Sequence, residues 1–481
     1  MQPAGAAGRR ARPSCYVFAV ATRRLAEELS RRLPAEILHS DEESLTAHSR
    51  DETEDLRARP EIVVRPRSEA EVVALLAAAR ELRFAVTPQG ARTGLSGGAL
   101  PAEGGVALDL GAMNRLLEID RDNLFAVVEP GVVTETLQNA AEAAGLFYPP
   151  DPSSRGSCTI GGNIAENAGG PRAARYGTTG RYVSGLRVVL PGGAVLPLGG
   201  KNRKDVAGYD LLSLFVGSEG TLGVVTQATL RLLPLPPQRR LLWASFAREA
   251  EALAAVAGLY AGGPEPSACE FLERRAAEVS ASSLGIALPA DADAHLFVEV
   301  DGFEEDTVAR DTERAGQRLL AAGATEVRVA LTEREQRDFW RLRRAVGEAV
   351  KRLGPYAEED CAVPRSRMPE LLAAVRGIAA RRGLTAICYG HAADGNIHVN
   401  VVQPPEGREQ WLAGKEAAVE EIFRAVVALG GTITGEHGVG LTQRAYMPLR
   451  HGPEVLAAMR AVKDLFDPDG LLNPGKIFPL P

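Results

Sequence analysis

The apolar positions change rhythm at one proline run, Leu233–Pro237, which is the strongest boundary signal in the chain. Before it, short apolar runs alternate with glycine-rich stretches. Glu61–Arg65, Phe84–Thr87, Gly105–Asp109, Ala126–Val128 and Val224–Leu233 are predicted strands. Leu212–Val216 is a further strand-like run leading into a glycine loop. Apolar spacing predicts an amphipathic helix over Arg23–Leu33. Ser68 with Glu71 is a capping-box signature opening a helix to about Arg80. Thr134–Ala144 is helical and stops at Gly145. Leu186–Leu190 and Val195–Leu198 flank Gly192–Gly193 as a hairpin. After the proline run, strands Leu241–Ala247, His295–Asp301, Thr385–Gly390 and Ile397–Val402 mix with helices Glu249–Tyr260, Asp306–Ala322, Glu335–Lys351 and Glu416–Leu429. That mixture predicts an α+β domain on an antiparallel sheet.

Three stretches cannot pack a core of their own: Pro88–Gly98, Asp151–Gly170 and Gly217–Gly223. Each adjoins an apolar run. One reading is irregular surface loops. The other is a set of backbone cradles around one large ligand, since glycine lets N–H groups approach closely and consecutive N–H donors suit a pyrophosphate. A nicotinamide cofactor on a doubly wound sheet needs G-x-G-x-x-G opening a helix, and the chain has none in that setting. Gly200–Lys201, Gly414–Lys415 and Gly475–Lys476 lack the following Ser or Thr of a P-loop.

Composition narrows the class. The chain has 481 residues, 45% hydrophobic and 24% charged, which fits two or three ordinary globular domains. A formal net charge of −7 argues against binding nucleic acid by phosphate neutralisation. Five scattered cysteines form no CxxC pair, so neither an iron–sulfur site nor a zinc ribbon is encoded, and a reducing cytoplasm is the expected setting. Cys15–Ala21 is too short an apolar core for a signal peptide, and the first residues read as a disordered or mis-started tail. No run is long enough to span a bilayer.

GHAADGNIHVN places His391 and His398 on two arms of a tight turn at Asp394–Gly395–Asn396. Glu436–His437 follows between Gly435 and Gly438. Histidines on a surface with an unrelated acidic loop are one reading. Two imidazoles and a carboxylate are also a fitting site for Zn²⁺ or another divalent ion with open positions.

PQGARTGLSGG, VEPGV (Val128–Val132), YPPDPSS (Tyr148–Ser154), CTIGGNIAENAGG and GYDLLSLFVGSEGTLGVVT (Gly208–Thr226) occur in that order. Together they resemble the FAD-binding domain of the vanillyl-alcohol oxidase and p-cresol methylhydroxylase superfamily. The resemblance is closer to its D-2-hydroxyacid branch, which includes the glycolate oxidase FAD subunit, D-lactate dehydrogenase and D-2-hydroxyglutarate dehydrogenase. It implies an α+β fold with residues 1–56 as a tail and helical segment and residues 57–237 as a two-subdomain FAD-binding domain. Residues 238–481 would be an antiparallel-sheet substrate and metal domain, with 470–481 returning to the FAD domain.

The resemblance implies that Gly90, Ala91, Arg92, Thr93, Gly94, Ser96 and Gly97 cradle the FAD pyrophosphate. Pro130, Asp151, Thr159, Gly161, Gly162, Asn163, Asn167, Gly169, Gly170, Glu219 and Val224 would line the rest of the cofactor, with Asn473 on the C-terminal return. Arg92 stands where relatives often carry glycine, so either the backbone differs or the guanidinium adds charge to the pyrophosphate. The first loop has no histidine or cysteine, so non-covalent FAD is expected. In metal-dependent relatives the equivalents of His391, His398 and Glu436 bind the ion and that of His437 is the general base. The chemistry agrees, because a bound cation acidifies a hydroxyl that histidine then deprotonates.

Arg343 and Arg365 are candidates for the substrate carboxylate, with ordinary solvated charges as the alternative. Gln443 replaces a lysine that relatives often show. The implied activity is FAD-dependent oxidation of a small D-2-hydroxy acid. Electrons would leave to a quinone, cytochrome, electron-transfer flavoprotein or iron–sulfur subunit, and a homodimer and peripheral membrane association through a partner are compatible with it. An FAD-dependent oxidase of another alcohol and a flavin-binding subunit of a multi-subunit oxidase are the alternatives.

Overall fold

The computed structural model describes residues 24–261, 263, 265–404 and 406–480. The expected tail and its Cys15–Ala21 stretch lie outside them. Residues 24–30 are helical, within the predicted Arg23–Leu33. The chain has an α+β fold built on three main sheets.

The first sheet is β1 (Leu38–His39), β2 (Ile62–Val64), β3 (Val86–Gln89) and β4 (Val106–Asp109), in the order β1-β2-β4-β3. β2, β4 and β3 run parallel. The helix Glu69–Leu82 makes the crossover from β2 to β3. Ser68 caps it: Glu71 N donates to Ser68 Oγ while Ser68 N donates back to Glu71, the predicted reciprocal box. Its apolar face, with Val72, Leu75 and Leu76, packs on Ile62, Val86 and Val106.

The second sheet comprises β5 (Leu116–Asp120), β6 (Phe125–Val128), β8 (Val183–Val189), β9 (Val195–Gly199) and β10 (Val224–Arg231), ordered β5-β6-β10-β8-β9 and antiparallel throughout. A small pair joins β7 (Leu146–Phe147) to β11 (Leu233–Pro234). β8 and β9 form the predicted hairpin, and Gly192 and Gly193 both take φ +90° in its turn, a conformation that penalises a Cβ.

The third sheet is antiparallel and seven-stranded. Its members are β12 (Gln238–Phe246), β13 (Ala268–Glu273), β14 (Ala294–Gly302), β15 (Ala324–Ala330), β16 (Tyr356–Ala362), β17 (Thr385–His391) and β18 (Asn396–Val402), in the order β15-β12-β14-β13-β17-β18-β16. Helices cover both faces. Leu242, Ala244 and Phe246 of β12 enter one core with Leu253 and Phe423, while Leu241 and Trp243 enter another with Trp340. The period of two along a strand explains the split.

Three readings change. Leu212–Phe215 is a short helix rather than a strand, because a brief apolar run does not distinguish the two. The helix expected over Glu335–Lys351 is two, Glu333–Arg344 and Val346–Lys351, meeting at Ala345. The Asp151–Gly170 stretch holds a helix, Ile160–Glu166, that its glycines disguise.

Buried charge joins the glycine-rich stretch to the third sheet. Arg172 donates to both carboxylate oxygens of Glu299 on β14, at 2.8 and 3.1 Å, and lies 3.3 Å from Asp151. Trp340 Nε1 and Ser267 Oγ donate to the same Glu299 carboxylate. Burial pushes Glu299 upward, but the Arg172 guanidinium and these donors outweigh it and hold it at about 2. A depressed carboxyl stabilises the fold above its unfolded range, and that contribution fades as pH falls toward the folded value. From this group it amounts to about 3 kcal/mol. The melting temperature is therefore expected to hold at neutral pH and fall steeply below about pH 4. Arg172→Met strands two buried carboxylates and costs about 3–5 kcal/mol at neutral pH, measured by chemical denaturation. An unchanged midpoint would remove this lock from the account.

Candidate active site

A cavity of about 500 Å³ opens between the glycine loops and the β16–β18 end of the third sheet. One wall is backbone-rich and comprises Gly90, Ala91, Arg92, Thr93, Gly94, Ser96, Pro130, Thr159, Gly161, Gly162, Asn163, Gly169, Glu219 and Val224. Two contacts explain glycine here. A Cβ on Gly90 would lie 2.6 Å from Thr159 Oγ1, and one on Gly161 would lie 2.6 Å from Pro130 Cβ. Arg92 itself takes the left-handed backbone, φ +59°, with its side chain at the cavity.

Five expected cofactor residues lie outside the lining, one layer behind it. Gly97 (φ +74°) packs against Leu441, and Asp151 is turned to Arg172. Asn167 caps its helix at φ +54° and accepts from Gly180 N at 2.8 Å. A Cβ on Gly170 would strike Asp151 O at 2.6 Å. Asn473 Nδ2 donates to Gly98 O and Glu219 O, at 3.0 and 2.7 Å. These residues shape the loops without facing the cavity.

The wall presents polar atoms that the protein leaves unmatched. Ser96 Oγ, Thr159 Oγ1 and Glu166 Oε2 are buried without a hydrogen-bond partner. Buried polar groups are nearly always paired, so this wall fits a large polar occupant such as FAD.

The far end of the cavity is ionisable. β17 and β18 form the predicted hairpin around Gly395, φ +76°. Tyr389 faces His398 in register, and His391 is two residues on from Tyr389, so all three share one face. The imidazole rings of His391 and His398 are 5.4 Å apart. Glu436 Oε1 lies 3.2 Å from His391 Nε2 and 3.5 Å from His398 Nε2. The three potential ligand atoms fall within 4.8 Å of one another. His391 Nδ1 lies 2.8 Å from Glu270 on β13, which also holds Arg343 Nη2 at 2.6 Å. A carboxylate behind a ligating histidine fixes its tautomer and raises its basicity. Burial works against a charged His391, but Glu270 and Glu436 together hold it well above its ordinary range. The site thus demands positive charge, and a divalent cation meets the same demand.

Asp360 on β16 positions Glu436. Its Oδ2 accepts from the backbone N–H groups of Gly435, Glu436 and His437 at 2.8, 2.7 and 2.8 Å. Its other oxygen accepts from Asn396 Nδ2 at 2.6 Å. His437 stacks on His398 at 5.2 Å and lines the cavity. Burial would lower His437, yet the Asp360, Glu358 and Glu436 carboxylates raise it. Burial and the neighbouring His437 push His398 down to about 3.

Of the two candidate arginines, the structure brings Arg343 to the cavity and not Arg365. Arg343 is buried, with Nε unpartnered. Arg365 lies 3.8 Å over the Tyr260 ring and donates Nε–H to Ala393 O, bracing the hairpin turn instead. Gln443 is also away from the lining and donates to Glu359 at 2.8 Å. Sequence reasoning missed Glu166, Glu270, Arg344, Lys351, Glu358, Asp360 and Tyr389. The basic run after Trp340 was a usable signal for Arg344, which lines the cavity beside Arg343.

Residues 60–199 match the FAD binding domain family, and residues 235–477 match the family of FAD linked oxidases, C-terminal domain. The glycolate oxidase subunit GlcD of Bacillus subtilis is 42% identical over 432 residues, covering 90% of this chain and 92% of that protein. The D-lactate dehydrogenase of Anaerostipes hadrus is 36% identical over 430 residues, covering 88% and 90%. The crystal structure of p-cresol methylhydroxylase with substrate bound superposes with a TM-score of 0.77 at 16% identity, covering 95% of this chain and 96% of that one. Among the described residues, no helix is long and apolar enough to cross a membrane.

Proposed function

Since the chain belongs to the FAD-linked oxidase family, we propose that it oxidises a small D-2-hydroxy acid, with glycolate and D-lactate the leading substrates, to the 2-oxo acid. The observation that carries this reading is the meeting of His398, Glu436, Arg343 and His437 at one end of the glycine-walled cavity, with His391 just behind the lining and within ligating reach of His398 and Glu436. FAD bound along the wall supplies the acceptor for the two electrons and the α-hydrogen. A divalent ion held by His391, His398 and Glu436, with Zn²⁺ first on donor chemistry, supplies the acidity the substrate hydroxyl lacks.

The protein groups divide the remaining work. Arg343 has one guanidinium nitrogen tied to Glu270 and Nε free, so it can hold the substrate carboxylate and fix the α-carbon. His437 is held at the cavity by Asp360 and takes the hydroxyl proton. Electrons then pass to a separate acceptor, because the chain carries no cluster-binding motif. The relative named as an oxidase subunit supports an acceptor in a partner protein.

Anaerobic mixing with glycolate and with the D and L forms of lactate and 2-hydroxyglutarate tests the reading. Bleaching of the flavin by a D-2-hydroxy acid or glycolate is expected; a flavin that none of them reduces sinks it. The flavin itself is expected to leave on acid precipitation, because the Gly90–Gly97 loop offers no tethering histidine or cysteine. Yellow colour retained in the washed pellet would show a covalent bond and redirect attention to Cys158, whose buried thiol lines the cavity 3.2 Å from Thr134 Oγ1.

A further inference from the structure

Two carboxyl groups that the mechanism does not use converge on the cavity. Glu166 ends the helix Ile160–Glu166, one turn beyond Asn163 and Gly162 on the same wall, and Glu219 comes from the third glycine loop. A Cβ on Gly438 would lie 2.2 Å from Glu166 Oε2 and 3.2 Å from Glu219 Oε1. A Cβ on Gly98, from the opposite loop, would lie 3.1 Å from Glu166 Oε1 and 3.8 Å from Glu219 Oε2. The pair is therefore pinched between two glycines, neither of which leaves room for a side chain beside it.

Their hydrogen bonding differs. Both oxygens of Glu219 accept backbone N–H groups, from Val439 and Gly440, each at 2.7 Å. That is the pattern of an ionised carboxylate. Glu166 Oε2 is buried with no partner in the protein. Two adjacent buried carboxyls do not both ionise, and the one without donors keeps the proton. Burial, and then the charges of Glu219 and Asp51, raise Glu166 well above its ordinary range. Burial raises Glu219 as well, but the two N–H donors and Lys476 offset part of that, and Glu166 has no such donors. The loop that supplies Gly438 also carries Glu436 and His437 toward the same cavity.

We propose that Glu166 stands in the cavity as a neutral carboxylic acid and donates its O–H to the bound cofactor, making it a cofactor-binding residue of this chain. The proposal rests on the FAD reading above. The isoalloxazine ring offers carbonyl oxygens and ring nitrogens as acceptors, and a second carboxylate beside Glu219 would repel an anionic dinucleotide. Glutamine in place of Glu166 keeps the shape and an N–H donor but cannot ionise.

The test is release of FAD from the holoenzyme, read as free flavin fluorescence on dilution from neutral to alkaline pH. Wild type is expected to release more FAD as pH rises and Glu166 ionises. Glu166→Gln is expected to hold FAD like wild type at neutral pH and to lose the pH dependence. Glu166→Ala is expected to weaken FAD by about tenfold, as for one lost hydrogen bond. If Glu166→Gln weakens FAD as much as alanine does, or keeps the wild-type pH dependence, the neutral donor is wrong. If Glu166→Ala binds FAD like wild type, Glu166 does not contact the cofactor. A wild type that carries no flavin overturns the FAD reading itself and this proposal with it. The near-isosteric glutamine variant keeps the test decisive where alanine disturbs the fold.

Discussion

Removing divalent metal by exhaustive chelation is expected to abolish substrate-driven flavin reduction while the protein stays yellow. The two functions use different residues. The wall that would hold FAD is built from loop backbone between Gly90 and Val224, and the His391–His398–Glu436 cluster lies at the cavity's far end. Glu270 gives the same prediction a graded form. It supports His391 from behind, at 2.8 Å, and pairs with Arg343, while Glu270 itself is not among the residues lining the cavity. Glu270→Gln should weaken metal binding by about 10–100-fold, as second-layer carboxylates do, and excess metal should restore part of the rate. Elemental analysis must accompany the rate measurement. A protein stripped of metal that still bleaches at the original rate has no catalytic ion, and the cluster is then a buried ion-pair network.

Legibility followed the range of the interaction. The hairpin carrying His391 and His398 was readable because Asp394–Gly395–Asn396 is a local turn signal, and β17 and β18 pair around it. The Ser68–Glu71 cap was readable for the same reason. The carboxylates that organise the site were not. Glu270 lies in β13, whose sequence ACEFLE breaks the expected alternation, and Asp360 lies in β16, YAEEDCA, which reads as solvated surface. Both strands are buried because their acids have partners far away in sequence: Glu270 meets His391 and Arg343, and Asp360 meets three N–H groups of the Gly435–His437 loop. Such pairings leave no periodicity. Arg365 shows the converse, since an arginine in a promising sequence neighbourhood is occupied by a neighbour's ring and carbonyl.

His437→Asn is expected to slow flavin reduction by about 10²–10⁴-fold, the usual worth of a general base, with little change in substrate affinity. The backbone at this position is fixed independently of the imidazole. His437 N donates to Asp360 at 2.8 Å, and so do its two predecessors, so asparagine should leave Glu436 in place. The ring stands against His398 and lines the cavity, but its Nε2 lies 3.9 Å from Glu436 Oε1, farther than either ring nitrogen of the His391–His398 pair. The surrounding carboxylates raise His437, which favours a ring that holds a proton once it has one. The variant should therefore remain yellow, keep its metal and bleach slowly under anaerobic conditions. Restoration of the rate by small imidazoles would tie the defect to proton transfer rather than to packing. A wild-type rate would move the base elsewhere. Loss of metal in the variant would make His437 a ligand, through the alternative Glu358–His398–His437 grouping that the structure also brings within ligating reach.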